Sequence, residues 1–376
     1  MTRSAQIFIG ATLLFSGCAL LAGQPTDRDV KLVEDADAYL KRELSSKRIP
    51  GMSISVVRGG RTLLARGYGF ANLELSVPAS EHTVYELASL TKPFTATAVM
   101  MLVEAGKISL EDHLPKYFPD APPAWQDVSV EHLLRHTSGL GDFFSIQELQ
   151  SKSDFAWERE YAPPDLLPLL FKAPIQSQPG ERWSYSNVGY YLLGWIIEKV
   201  TGEPYEAFLK HGIFDPLQMT ETRRMDRRDI IPNRASGYTW ENNTLRNAKF
   251  TSATWAYSEG GLVSSASDLA RVDAGLFGDR LLKRTTLERM WQPSRLGDGS
   301  LAKYGCGWNV GSDPRRRQIY HSGNKPGFAS IIRHYIDESL TVVLLANVDN
   351  GIDADADGGA ISYHVASIFL PAVKPH

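Results

Sequence analysis

Apolar positions first recur at helical spacing over residues 27–48, where Val30, Leu32, Val33, Ala36, Tyr39, Leu40 and Leu44 can share one broad face and Pro50 closes the segment. The pattern then changes. Residues 52–57 and 62–67 are β-rich runs around Arg58-Gly59-Gly60-Arg61, which predicts a hairpin. The C-terminal end repeats the theme, with strands predicted over 318–320, 328–335 and 340–347 and a closing helix over 360–370. The unbroken run Val342-Val343-Leu344-Leu345 predicts a central strand buried on both faces. Between these ends the periodicity is helical, over 95–105, 129–135, 165–171, 188–200, 205–210, 266–276 and 286–291, with long connections rich in Pro and Gly. The economical arrangement is a mixed α/β (α+β) fold. In it an antiparallel sheet, formed from both chain ends over residues 27–85 plus 300–371, is flanked by the N- and C-terminal helices. A mainly helical region over residues 86–299 is inserted, and together they make one domain.

Composition bounds this picture without changing it. The chain has 376 residues, 43% of them hydrophobic and 22% charged, with a formal net charge of -3. That charge gives no argument for a nucleic-acid partner, and none is expected. The N-terminus stands apart. Arg3 precedes the mostly apolar run Ile7 to Phe15, the charged and short apolar regions of a secretory signal, and residues 1–23 are assigned to signal and tether. Phe15-Ser16-Gly17-Cys18 resembles the lipobox of bacterial lipoproteins, so Cys18 is expected to carry lipid and to anchor an exported protein to a membrane of the cell envelope. The other cysteine, Cys306, lies in Tyr304-Gly305-Cys306-Gly307-Trp308, which predicts a strand-like segment with a small buried side chain.

The candidate chemistry starts at Ser89-Leu90-Thr91-Lys92. A serine and a lysine three apart lie a helical turn from each other. Serine needs a neighbouring base, and a desolvated lysine supplies one if its neutral form is favoured. Tyr185-Ser186-Asn187 adds a phenol that can share a proton and an amide that can orient a carbonyl or the lysine. His321-Ser322-Gly323, on a predicted strand, offers a glycine where substrate could approach and backbone N–H groups where an oxyanion could form. Two other patterns point elsewhere. His132 and His136 are spaced like zinc ligands but lack the glutamate of a metalloprotease motif. Asp353-x-Asp355-x-Asp357-Gly358 copies half a calcium loop but has His364 where the bidentate glutamate belongs. No metal and no cofactor is expected.

Taken in order, Ser89-x-x-Lys92, Leu134-Arg135-His136-Thr137-Ser138-Gly139, Pro179-Gly180 with Tyr185-x-Asn187, Glu259-Gly260-Gly261-Leu262 and His321-Ser322-Gly323 with Pro326-Gly327 resemble one known family. It is the serine β-lactamase and penicillin-binding-protein-like hydrolases, in the class C branch that includes esterases and D-amino-acid peptidases. The resemblance runs from about residue 30 to the C-terminus. It implies that Ser89 is the acylated nucleophile, that Lys92 activates it and that Tyr185 shuttles protons. It further implies that Asn187, His321, Gly323 and Asn324 contact the substrate, with the N–H groups of Ser89 and Asn324 as oxyanion hole. The substrate would be a small molecule or peptide with an ester or amide bond. β-Lactamases of this branch carry a lysine where this chain has His321, so the resemblance favours an esterase or peptidase over an efficient β-lactamase. The alternatives are a β-lactamase and a penicillin-binding or sensor module without turnover.

Overall fold

The computed structural model describes residues 26–149, 161, 163–249, 251–313, 315–349, 352 and 360–371. Cys18 and the Asp353–Asp357 pattern lie outside them. Helix α1 (Asp27–Ser46) opens on a capping box, in which the Thr26 side chain accepts from the Asp29 N–H and the Asp29 carboxylate returns to the Thr26 N–H. Its buried face is Ala36 and Leu40. Strands β1 (Gly51–Arg58) and β2 (Arg61–Asn72) form the hairpin, with Gly59 and Gly60 both at positive φ, as a tight two-residue turn requires.

The main sheet is antiparallel and has seven strands. To β1, β2 and β3 (Val77–Pro78) the C-terminal part of the chain adds β4 (Asn309–Val310), β5 (Gln318–Lys325), β6 (Phe328–Tyr335) and β7 (Leu340–Ala346), in the order β4-β5-β6-β7-β1-β2-β3. Strand β7 is central, which explains its unbroken apolar run. Val342 and Leu344 pack with α1 and with the C-terminal helix Ile361–Phe369 on one face, while Val343 and Leu345 join the large core on the other. Each such buried side chain contributes about 2 kcal/mol. The order also explains how the two chain ends share one sheet, since β1 pairs with β7 from Met52↔Ala346 to Arg58↔Leu340.

The central part of the sequence lies on the second face. Helix α2 (Lys92–Glu104) is buried along most of its length. Beside it lie α3 (Asn187–Thr201) and α4 (Ala253–Gly260). A small three-stranded sheet of Val84–Glu86, Leu262–Ser265 and Arg223–Arg224 also belongs to this region, although its sequence pattern gives no clear strand signal. One local expectation is corrected. Tyr304 to Trp308 is a turn rather than a strand, because Gly307 has φ of 79° and packs against α2, where an added Cβ would lie 2.6 Å from the Ala96 Cβ and 3.3 Å from the Lys92 carbonyl oxygen. Cys306 is fully buried there, and burial pushes its thiol up to about 11, far from a reactive range. Among the described residues no helix is long and apolar enough to cross a membrane.

Candidate active site

Ser89 sits in the 3₁₀ turn Ala88–Thr91, which runs directly into α2 at Lys92. Ala88 has φ of 48°, a conformation that costs a non-glycine residue about 1–3 kcal/mol. The turn is held against β5. A Cβ on Gly323 would lie 2.0 Å from the Leu87 carbonyl oxygen and 3.0 Å from the Leu90 nitrogen. The glycine therefore admits the backbone on either side of Ser89, a tighter constraint than the approach of a substrate.

Lys92 is completely buried, and four oxygens surround its Nζ. These are Ser89 Oγ at 3.1 Å, Asn187 Oδ1 at 2.7 Å, the Glu259 carbonyl oxygen at 2.8 Å and Glu259 Oε2 at 2.9 Å. Burial pulls the amine's pKa down, but the Glu259 carboxylate and Tyr185 outweigh it, and the net direction is up. Lys92 in the resting site is thus an ammonium ion.

Asn187, the first residue of α3, is oriented by its neighbours. Its Nδ2 donates to Asp142 Oδ2 at 3.0 Å and its backbone N–H donates to Asp142 Oδ1 at 3.1 Å, which leaves the amide oxygen facing Lys92. Burial raises the Asp142 carboxyl above its ordinary range. Tyr185 lies two residues before α3, and its hydroxyl is within hydrogen-bonding reach of both Lys92 and Ser89. Burial raises its phenol, Lys92 pulls it down, and the net direction is up. The Tyr185 ring rests on His136, centroids 4.3 Å apart, and His136 Nδ1 accepts from the Ser186 N–H at 3.2 Å. The chain thus spends His136 on placing Tyr185. His132 caps its own helix by accepting from the Ser129 N–H.

His321 is 2% exposed. Its Nδ1 lies 2.8 Å from the Ser322 carbonyl oxygen, which can only accept, so that nitrogen carries the proton. Nε2 is then the acceptor for the Tyr304 hydroxyl at 3.0 Å. Burial holds the ring neutral, with its pKa pushed down to about 3.

Ser89 opens into a cavity of about 220 Å³ whose walls include Phe143, Phe144, Trp255, Asn187, Glu259, Asn324 and Lys325. His321, Gly323 and Tyr185 are not among its lining residues. Larger hollows elsewhere do not reach Ser89. Lys325 is paired with Glu86. The structure thus gathers Ser89, Lys92, Tyr185 and Asn187 at one point, puts Asn324 on the cavity wall, and buries His321 against Tyr304. Sequence reasoning assigned no role to Glu259, Asp142 or Tyr304. Glu259 stood within a quoted motif, whereas nothing near Asp142 marked it.

The family model described as Beta-lactamase matches residues 33–365. Penicillin-binding protein 4* of Bacillus subtilis (strain 168) is 34% identical over 310 residues, covering 78% of this chain and 67% of that protein. This chain spans about two thirds of the length of the curated relatives it matches. Among solved structures, the octameric penicillin-binding protein homologue from Pyrococcus abyssi superposes with a TM-score of 0.75 at 26% identity, covering 90% of this chain and 77% of that one. The D-amino acid amidase from Ochrobactrum anthropi SV3 superposes with a TM-score of 0.70 at 25% identity, covering 92% and 97%.

Proposed function

This chain belongs to the beta-lactamase family, and on that premise we propose that it is a serine hydrolase that cleaves an ester or amide through an acyl-enzyme at Ser89. The observation that carries this reading is the 3.1 Å approach of the buried Lys92 Nζ to Ser89 Oγ at the mouth of a cavity. In the fraction of the protein whose Lys92 ammonium has released its proton to solvent, the Ser89 O–H bond breaks as its proton passes to the neutral amine, directly or through Tyr185. Oγ bonds to the substrate carbonyl carbon, and the carbonyl electron pair moves to oxygen, facing the backbone N–H groups of Ser89 and Asn324. Collapse expels the alcohol or amine, which takes the proton back. Water then repeats the sequence on the acyl-enzyme. Asn187, held by Asp142, keeps the lysine aimed at Ser89.

An ester or peptide substrate suits this cavity better than a β-lactam. A β-lactam's carboxylate wants a fixed cation. Position 321 supplies a neutral, buried ring, the cavity's Lys325 is tied to Glu86, and the Glu259 carboxylate lines the wall. Phe143, Phe144 and Trp255 offer an apolar surface to the acyl part. The relative named as an amidase for D-amino acids supports including amides of amino acids. Export and lipid attachment at Cys18 are proposed from the N-terminal sequence alone, and Cys18→Ser should release a detergent-extracted protein in soluble form with unchanged hydrolysis.

The test is covalent. A fluorophosphonate should label the purified protein at Ser89, and Ser89→Ala should abolish both labelling and turnover of short-chain nitrophenyl esters, D-amino-acid amides or nitrocefin. Labelling that persists in Ser89→Ala would overturn the assignment.

A further inference from the structure

We propose that Glu259 is the third member of the unit that activates Ser89, its carboxylate fixing Lys92 and stabilising the ammonium ion formed when the lysine amine takes the serine proton. The inference rests on the reading of Ser89 as nucleophile. Nucleophile, base and an orienting carboxylate in line is the logic of a catalytic triad. Here the line runs Ser89 Oγ to Lys92 Nζ, 3.1 Å, then Lys92 Nζ to Glu259 Oε2, 2.9 Å. Glu259 acts through Lys92 and is therefore a positioning residue.

The backbone is shaped to deliver it. Helix α4 breaks at Tyr257, a non-glycine residue with φ of 29° and ψ of -123°, two positions before Glu259. The break turns the Glu259 carbonyl as well as its carboxylate onto the same ammonium group. Neighbours clamp it. Ser258 Oγ donates to the Tyr190 carbonyl at 2.9 Å, and Thr95 Oγ1, on α2 itself, donates to the Ser258 carbonyl at 2.6 Å. Gly194 makes room, since a Cβ there would lie 2.2 Å from Ser258 Oγ.

A purely structural ion pair is the weaker explanation. A buried pair is easily replaced by apolar residues without loss of stability. This one is not sealed in the core: the Glu259 side chain keeps 11% exposure and lines the cavity beside Ser89. The charge also acts on the groups that must lose a proton. On Lys92 it acts with Tyr185 against burial to raise the amine, and on Tyr185 it adds to the rise that burial causes. Other titratable groups near the pair are His136 and His321, both neutral, Tyr190, whose ring centroid is 5.6 Å from Lys92 Nζ and whose phenol burial raises, and Asp142, which is tied to Asn187.

The proton balance is closed. Neutral Lys92 takes the Ser89 proton as Oγ bonds to the substrate carbonyl. The new ammonium faces an existing carboxylate, and its proton leaves with the alcohol or amine. Glu259 ends each half-reaction as it began.

The experiment is the pH dependence of fluorophosphonate labelling at Ser89 in the intact protein. With Glu259→Gln the rising limb should move to lower pH by about one unit or more, because an anion that holds the proton on Lys92 is gone. The plateau should fall at least about tenfold, because the developing cation loses its partner. Glu259→Asp keeps the charge, so its limb should stay with the wild type even if labelling slows. A limb unmoved in a folded Glu259→Gln variant overturns the proposal. If Glu259→Gln does not fold, Glu259→Met takes its place with the same expected shift, and a limb unmoved in that variant overturns the proposal equally. A wild type that labels nowhere at Ser89 overturns the nucleophile assignment itself, a result distinct from an unmoved limb.

Discussion

His321 Nε2 and the Tyr304 hydroxyl lie 3.0 Å apart, so the His321 ring is held by a hydrogen bond within the packed interior. His321→Lys would then bury an ammonium ion close to the charge of Lys92. The cost should be about 3 kcal/mol or more. The thermal midpoint should drop, and the ratio of catalytic efficiencies for nitrocefin and a nitrophenyl ester should not rise. A stable variant with a raised ratio would show that position 321 reaches the substrate.

Lys92→Arg tests the base. The site offers Nζ four fixed oxygens, which a planar guanidinium cannot match, and a guanidinium does not release its proton. Labelling and turnover should fall about 100-fold or more. Near-normal rates would leave Lys92 with a structural role.

Asp142→Asn tests how Asn187 is aimed. The carboxylate accepts from both the Asn187 side-chain amide and its backbone N–H. An amide in its place can accept only through its oxygen, which frees Asn187 to flip. Losing a hydrogen bond to a charged acceptor costs about 1.5–3 kcal/mol, so labelling of Ser89 should slow roughly ten- to hundredfold. An unchanged rate would remove Asp142 from the site.

Gly323→Ala tests the seat of the nucleophile. The added Cβ would meet the Leu87 carbonyl oxygen at 2.0 Å and Ser330 Oγ at 2.6 Å, so β5 and the Ser89 turn must separate. Overpacking of this kind costs about 1–3 kcal/mol, and a displaced nucleophile can lose about 100-fold. A well-folded variant should label Ser89 far more slowly. If it labels at the wild-type rate, the close approach is not what positions Ser89.

Three histidines set an acid limit on stability. Burial pushes His321 and His334 down to about 3 and holds His136 well below its ordinary value. Above about pH 6.5 these rings are neutral in both folded and unfolded chains and contribute no pH dependence. Below it the unfolded chain binds protons that the native state refuses. Stability is then lost as pH falls from about 6.5 toward 3, by about 1.4 kcal/mol per pH unit for each histidine. Asp142, Asp268 and Asp273, raised by burial, act in the opposite sense nearer the carboxylate range, so the window to measure is pH 7 to 5.5. Urea midpoints should fall steadily across it; a flat profile would mean that the rings can take protons while folded.

The sequence by itself determined the elements whose signals are local or periodic. The amphipathic face of α1, the Gly59-Gly60 turn and the continuous apolar run of β7 are each written in a few adjacent residues, because propensity, turn chemistry and two-sided burial act over that range. Ser89 and Lys92 were legible for the same reason, being one turn apart. What joins distant segments was left to the tertiary structure. Lys92 and Glu259 are 167 residues apart and Asp142 and Asn187 are 45 apart, yet they meet within 3.0 Å. The direction of His321 is decided by Tyr304, which no spacing rule links to it. Even Lys92's charge is not a property of its sequence. Burial alone would favour the neutral amine, and the carboxylate that α4 turns inward at Tyr257, together with Tyr185, reverses that. Side chains carry their chemistry in the sequence, but their partners, and so their protonation and orientation, exist only once the chain has packed.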